Sequence, residues 1–257
     1  MKCKVSDKRS TALGGLNHHL ETCPSAPGTF PPHDSFAKNI TLTLNDARLL
    51  ATHEQEHATD VSPNLNTKLT PDVIVEGNGY KFGIDVTIRR PGVAPGNVDS
   101  ILRQAYLDKL THYYGELNGQ ALFAAATNPK IPSHSNDFFV KLTSTSDRAI
   151  IQTNLESVPD HIKAKNLLPS PLPTMTVRPI VINGVSGRLE PLSKLFLTHL
   201  LMSQINVHYS HLSLREKKGL VFSKLSTITM RLIAVSANVR IVNMQKFLVD
   251  NSLAKKV

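Results

Sequence analysis

Two aspartates, each in a short apolar segment, are the residues of this chain best suited to chemistry. Asp72 precedes the apolar residues 73–75, and Asp85 lies between Ile84 and Val86 in the next such segment. A carboxylate inside an apolar strand is costly to bury unless a cation compensates its charge. The two acids therefore predict a Mg²⁺ site for phosphodiester chemistry.

The two segments are expected to form a β-hairpin that carries both acids. Asn78-Gly79 stands between them, and Asn-Gly between β-branched segments is the strongest short hairpin signal. An alternative without chemistry stays open. Asp72 would then close a turn after Pro71, and Asp85 would pair with a nearby lysine or arginine, because ion-pair networks also place acids in strands.

A helix is expected after the hairpin, at residues 97–114. Its apolar residues recur at three- and four-residue steps, and Lys109 falls on or beside the same face one turn further on. Asn97 is the expected N-cap, and either Gly115 or Gly119 is expected to end the helix. This face should pack toward the sheet, which brings Lys109 near the hairpin.

This arrangement resembles the PD-(D/E)xK nuclease superfamily, in which Pro-Asp is followed by an acid in an apolar strand, here Asp85, thirteen residues after Asp72. The closer resemblance is to the restriction-like endonuclease of site-specific non-LTR retrotransposons. There the superfamily lysine has moved onto the next helix, and residues 105–113 (Ala-Tyr-Leu-Asp-Lys-Leu-Thr-His-Tyr) look like that segment. Thr87 then occupies the usual lysine position and Lys109 replaces it.

The resemblance implies an α/β fold with a restriction-endonuclease-like core, in which helices flank a central mixed β-sheet and further helices follow at the C-terminus. It also implies that Asp72, Asp85 and the Val86 carbonyl ligate Mg²⁺ or Mn²⁺, and that Lys109 orients the attacking hydroxide. Tyr113 would support Lys109, contact phosphate or only pack. In the same segment, His112 stands where a second basic residue is common.

The N-terminal segment, residues 1–34, resembles a degenerate zinc knuckle followed by a basic-His-Asp motif. The resemblance implies three zinc ligands, and His33-Asp34 follows Pro32 where a basic residue is expected. A structural zinc site needs four ligands. Either the knuckle has decayed and lost its zinc, or the chain starts inside the motif and lacks an upstream cysteine. The three candidate ligands are Cys3, His18 and Cys23.

Residues 35–257 are expected to form the nuclease domain. Asp34 is the expected N-cap of a helix that runs to about Glu56, alone or with a second helix after Asn45. Superfamily nucleases often place a glutamate from this helix near the metal, and Glu54 or Glu56 would fill that role. The alternative is that these glutamates belong to a solvated helix end.

Residues 118–173 look like an insertion relative to the family. Residues 120–126 form either a strand or a helix, and two short strands are expected at 138–143 and 149–152. A buried strand is expected at 174–183.

Two helices are then expected at about 189–208 and 213–237, followed by a final strand or helix at 239–249. The last long helix carries basic residues that line a DNA groove or form a solvated face. They are Arg215, Lys217, Lys218, Lys224 and Arg231.

Composition favours a polyanionic partner. The 257 residues carry a formal net charge of +9 with a pI near 9.6, and 40% are hydrophobic, enough for a packed core. Tryptophan is absent and aromatic residues make up only 5%, which argues against a stacking platform for single strands. With no signal peptide and no eighteen-residue apolar segment recognised, a soluble, intracellular protein without a membrane partner is expected.

These inferences together predict a metal-dependent DNA endonuclease that nicks target DNA. The resemblance implies an element-derived nuclear protein with DNA, and element RNA, as partners, and covers the endonuclease portion alone, because no reverse-transcriptase signature is present. Two other functions stay open: a catalytically inactive nucleic-acid-binding remnant, and a cellular resolvase or restriction-type nuclease with the same core. The oligomeric state is left open.

Overall fold

The computed structural model describes residues 31–53, 71–77, 80–89, 98–127, 145–165 and 175–254. Outside the described residues lie the candidate ligands Cys3, His18, Cys23, Glu54 and Glu56, the cap Asn97 and the expected strand 138–143. The elements are α1 (Pro31–Asp46), β1 (Leu50–His53), β2 (Val73–Gly77), β3 (Tyr80–Arg89), α2 (Val98–Tyr114), α3 (Glu116–Thr127), α4 (Thr145–Asn154), a 3₁₀ turn (Leu155–Ser157), α5 (Asp160–Lys165), β4 (Thr176–Asn183), α6 (Pro191–His208) and α7 (Leu214–Ala254).

Within the described ranges, four strands form one mixed sheet in the order β1-β2-β3-β4. β1 and β2 pair antiparallel, as do β2 and β3, so the expected hairpin is confirmed, and β4 pairs parallel with β3. Every residue of β4 is buried. The chain is therefore an α/β protein with helices on both faces of a mixed sheet.

The faces of the sheet divide the core because successive side chains of a strand point to opposite sides. Ile84 and Val86 pack with α1, α6 and α7, whereas Ile74 and Val177 pack with α2, α3 and α4. Asp85 lies between Ile84 and Val86 and so points toward α2. This alternation places the acid on the face from which Lys109 can approach.

The first helix differs from the expectation at both ends. It begins at Pro31, which makes Asp34 a first-turn residue and not the N-cap, because proline suits the first turn of a helix. It ends at Asp46 and not near Glu56. The Asn45 side chain turns the chain by donating to the Ala51 carbonyl at 2.9 Å and accepting from the Ala51 N–H at 2.8 Å, and β1 follows.

The region 118–173 contains helices where strands were expected. Residues 149–152 lie within helix α4, so that strand prediction is wrong, and residues 120–126, which were left open, lie within α3. Helix α4 belongs to the core, since its Asp147 accepts a hydrogen bond of 2.6 Å from the Arg178 guanidinium of β4 and one of 2.8 Å from the Tyr114 hydroxyl. All three side chains are buried.

The last helix is longer than expected, since α7 continues to Ala254 and includes residues 239–249. By length and composition alone, its part Leu214–Val242 could cross a membrane, because an 18-residue stretch within it has a mean hydropathy of 1.4, and a buried core helix can meet the same criterion. The inner face of this helix packs in the core through Val221, Leu225, Ile228 and Leu232.

Candidate active site

Lys109 and Asp85 meet at the face of the sheet covered by α2. The Lys109 ammonium donates to both carboxylate oxygens, at 2.9 Å to Oδ2 and 3.1 Å to Oδ1. Helix α2 buries Ala105, Leu110 and Tyr113 against the sheet, and Lys109 lies at the edge of that stripe. The Lys109 side chain keeps 31% of its surface exposed while that of Asp85 keeps 6%, so the cluster opens to solvent on the lysine side.

Asp72 is held beside Asp85 by the end of the hairpin ladder. Val73 pairs with Ile84, so Asp72 comes next to Asp85 as the register continues. The Val86 N–H lies beyond the last residue pair of the β2–β3 ladder and donates to Asp72 Oδ2 at 2.6 Å. The carboxylate thus replaces a backbone acceptor and is fixed in place.

Pro71 is positioned by a glycine on the neighbouring strand. A Cβ added to Gly83 would lie 2.7 Å and 2.8 Å from the Cβ and Cγ atoms of Pro71. Only a residue without a side chain lets the proline ring pack there. The Pro-Asp dipeptide and Gly83 therefore act together to place Asp72.

His33 from the first turn of α1 is the fourth side chain of the cluster. Its Nε2 lies 3.3 Å from Asp72 Oδ2 and 3.3 Å from the Val86 carbonyl oxygen, and its Nδ1 lies 3.3 Å from Asp34 Oδ1. The sequence pointed to His33 only through a motif. Its contact with Val86, 53 residues away, has no local signal.

The charges of the cluster are coupled. The hydrogen bond to Asp72 is the main cause that raises the pKa of His33 to about 9, so the imidazole is cationic at neutral pH. Burial raises the pKa of Asp72, but the hydrogen bond and charge of His33 outweigh it, and the net pKa lies below its ordinary value. Each carboxylate therefore has its own cation, His33 for Asp72 and Lys109 for Asp85.

Asp85 is the strained member of the cluster. Burial, opposed by the charge of Lys109 and reinforced by that of Asp72, raises its pKa to about 6. Tyr113 also hydrogen-bonds this carboxylate, and burial followed by the Asp85 charge raises the pKa of the Tyr113 hydroxyl. A buried carboxylate with a raised pKa is typical of a functional site, although structural ion-pair networks produce it too.

The oxygen atoms of the cluster are candidate ligands for a divalent cation. Within the described ranges, no group of three or more His, Cys, Asp or Glu side chains could hold a metal ion. Two carboxylates and the Val86 carbonyl still fit Mg²⁺, which is held by one or two carboxylates and keeps waters and substrate phosphates as its other ligands. Thr87, two residues after Asp85 on the same face, has a buried hydroxyl with no hydrogen-bond partner in the described part of the chain. A bound water would satisfy such a group.

The basic residues of α7 do not join this cluster. Arg231 donates to Asn39 of α1 at 3.2 Å and is exposed, as are Arg215 and Lys218. His112 packs edge-on against the Tyr113 ring and contacts neither carboxylate through any bond found in the structure. A DNA-lining role for these residues stays a prediction.

No known protein family matches the chain, and neither a characterised protein nor a solved structure matches it. Fold and site therefore define a broad class: an α/β protein with a four-stranded mixed sheet, in which a strand carboxylate, a preceding Pro-Asp and a helix lysine converge.

Proposed function

We propose that this protein is a metal-dependent DNA endonuclease with a restriction-endonuclease-like core, related to the endonuclease of site-specific non-LTR retrotransposons. The observation that carries the proposal is the contact of Lys109, from a helix, with Asp85, from the strand beside Asp72. A lysine on the helix replaces the lysine that the superfamily keeps on the strand, where this chain has Thr87.

Asp72, Asp85 and the Val86 carbonyl would hold Mg²⁺ or Mn²⁺. When bound, such an ion lowers the pKa of a water ligand and offsets charge on the phosphate. Mg²⁺ held by one or two carboxylates keeps water and substrate phosphate oxygens as its other ligands.

Lys109 supplies a fixed positive charge at the open side of the cluster. Its ammonium is placed by Asp85 before substrate arrives, and a preorganised cation stabilises charge that develops on the phosphate without further reorganisation. Tyr113 holds the Asp85 carboxylate from the buried side. The net charge of +9 favours a polyanionic substrate.

A plasmid-nicking assay tests the proposal. Supercoiled DNA should be nicked with Mg²⁺ or Mn²⁺ and left intact with EDTA. Asp85→Asn and Lys109→Ala should each reduce the rate by about 10²-fold or more, the order of magnitude seen when one preorganised charged contact is removed.

The matched control is Lys163→Ala. Lys163 also pairs with an aspartate, Asp160 at 3.4 Å, but on α5 at the surface. Its loss should leave nicking unchanged. If the protein binds DNA with a steep salt dependence and nicks it in neither metal, the proposal is wrong and the chain is a binding remnant.

A further inference from the structure

We propose that the His33 imidazole and the metal ion are alternative occupants of the same oxygen atoms, so that His33 leaves the cluster when metal binds. This inference rests on the proposed function, because it takes Asp72 and the Val86 carbonyl as metal ligands. It assigns to His33 the role of a displaceable cation that keeps the site closed without metal.

The position of the ring nitrogen is the first argument. Nε2 is 3.3 Å from Asp72 Oδ2 and equally 3.3 Å from the Val86 oxygen. Mg²⁺ contacts oxygen ligands at about 2.0–2.1 Å. An ion that contacted both Asp72 Oδ2 and the Val86 oxygen from this side would overlap with the imidazole ring. The ring and the ion therefore cannot occupy this position together.

The length of the contacts is the second argument. The three distances from His33 to its oxygens are all 3.3 Å, whereas Lys109 approaches Asp85 to 2.9 Å. Charge-assisted hydrogen bonds of full strength are shorter, at about 2.7–2.9 Å. Judged by distance, each single contact of the ring is therefore weaker than the contact of Lys109 with Asp85.

The third argument is that the His33 side chain can rotate out of the cluster toward solvent. The His33 side chain is 35% exposed and lies in the first turn of α1. Asp34, with a side chain 46% exposed, already contacts the other ring nitrogen. Rotation toward solvent keeps an anionic partner for the imidazole while Asp72 and the carbonyl become available.

Mn²⁺ binding without DNA tests the inference at constant pH 7, by electron paramagnetic resonance of the free ion. If the ring occupies the oxygens in about nine molecules of ten, His33→Ala should tighten the Mn²⁺ dissociation constant about tenfold, because the competent fraction rises to one. His161→Ala, which removes an exposed histidine on α5, should leave it unchanged.

Every other result has a defined meaning. Unchanged or weaker Mn²⁺ binding in His33→Ala overturns the inference, and weaker binding would make His33 a positioning residue for Asp72. Absence of Mn²⁺ binding in both proteins overturns the proposed function as well, which separates the two failures.

A second measurement does not depend on the alanine variant folding. Imidazole ¹H–¹⁵N spectra of the wild-type protein, with His33 assigned from His33→Gln, should show its signals moving to those of a solvent-exposed histidine when Mg²⁺ is added. Signals that stay in place at saturating Mg²⁺ would contradict the displacement.

Discussion

Asp85 is buried at a cost to folding. Its pKa is raised to about 6 chiefly because burial outweighs the attraction of Lys109. A folded-state pKa above the unfolded value means that the folded protein binds this proton more tightly. The wild-type protein therefore loses stability as the pH rises from about 4 to about 6, and the loss stays above that range.

Asp85→Asn should stabilise the metal-free protein above pH 6. The gain should be about 1–3 kcal/mol at pH 8, since one pKa unit corresponds to about 1.4 kcal/mol and Lys109 loses a partner in the variant. Urea unfolding in EDTA at pH 4 and pH 8 measures it, and the two proteins should differ less at pH 4.

The reference for this comparison is Asp160→Asn. The side chain of Asp160 is fully exposed, so its removal should leave the unfolding free energy nearly unchanged at either pH. Equal stability of Asp85→Asn and the wild-type protein at pH 8 would show that burial does not strain Asp85.

The corner between α2 and α3 depends on a close approach of backbones. Gly115, with φ of +78°, ends α2 as one of the two glycines expected to do so. The other, Gly119, lies inside α3 instead, and a Cβ there would lie 2.7 Å from both Cα and N of Thr111. Since Lys109 is on α2, the corner also sets the position of the lysine.

Gly119→Ala should destabilise the protein although alanine is the better helix former. The new methyl group would press on the Thr111 backbone, and overpacking of this kind costs about 1–3 kcal/mol. Thermal unfolding measures the loss. Gly219→Ala in α7 is the matched control, because nothing lies within 4 Å of the added Cβ, and it should stabilise by up to about 1 kcal/mol. A gain at Gly119 as well would contradict the packing argument.

Local patterns predicted the elements that depend on local interactions. The Asn-Gly hairpin, the buried strand at β4, the periodic α6 and the position of Lys109 on α2 all follow from spacing along one segment. The end of α1 does not follow from local spacing. The Asn45 side chain fixes it by hydrogen-bonding to Ala51, which lies beyond the helix.

Contacts between distant segments could not be predicted from the sequence. Residues 149–152 are apolar enough for a strand or a helix, and Ile151 of their helix packs on the face of the sheet that α2 and α3 cover. His33 reaches Val86 across 53 residues, and Asp147 reaches Arg178 across 31. The acids and the lysine of the site were predictable by their types and spacing, whereas the histidine's contacts required the fold.

A buried ion pair connects helix α4 to the central sheet. Asp147 of α4 and Arg178 of β4 have side chains only 5% exposed each, and Tyr114 of α2 and Thr176 of β4 share the same carboxylate. Through Asp147, helix α4 is thus bound to the sheet and to the helix that carries Lys109. The described residues of the region 118–173 are therefore part of the core.

Asp147→Asn should destabilise the whole protein by about 3–5 kcal/mol, because it leaves a buried guanidinium without its counter-charge. Urea unfolding should show one cooperative transition at a lower midpoint. The double variant Asp147→Leu/Arg178→Met should lose less stability than Asp147→Asn, since it leaves no unpaired buried charge.

An exposed pair provides the contrast for this measurement. Arg188 and Asp99 are bonded at 2.9 Å with side chains 58% and 57% exposed. Asp99→Asn should lower the unfolding free energy by no more than about 1 kcal/mol. If Asp147→Asn is as mild as Asp99→Asn, the buried pair does not hold the molecule together.

The parallel pairing of β3 with β4 has a consequence for the newly made chain. Asp85 leaves the ribosome 94 residues before Pro179, its partner across the sheet. At about 5–20 residues per second, translation leaves that edge of β3 without its neighbour for roughly 5–20 s. During this interval an unpaired strand edge is open to other nascent chains. Chaperone demand should therefore peak before β4 emerges and fall once it has joined the sheet.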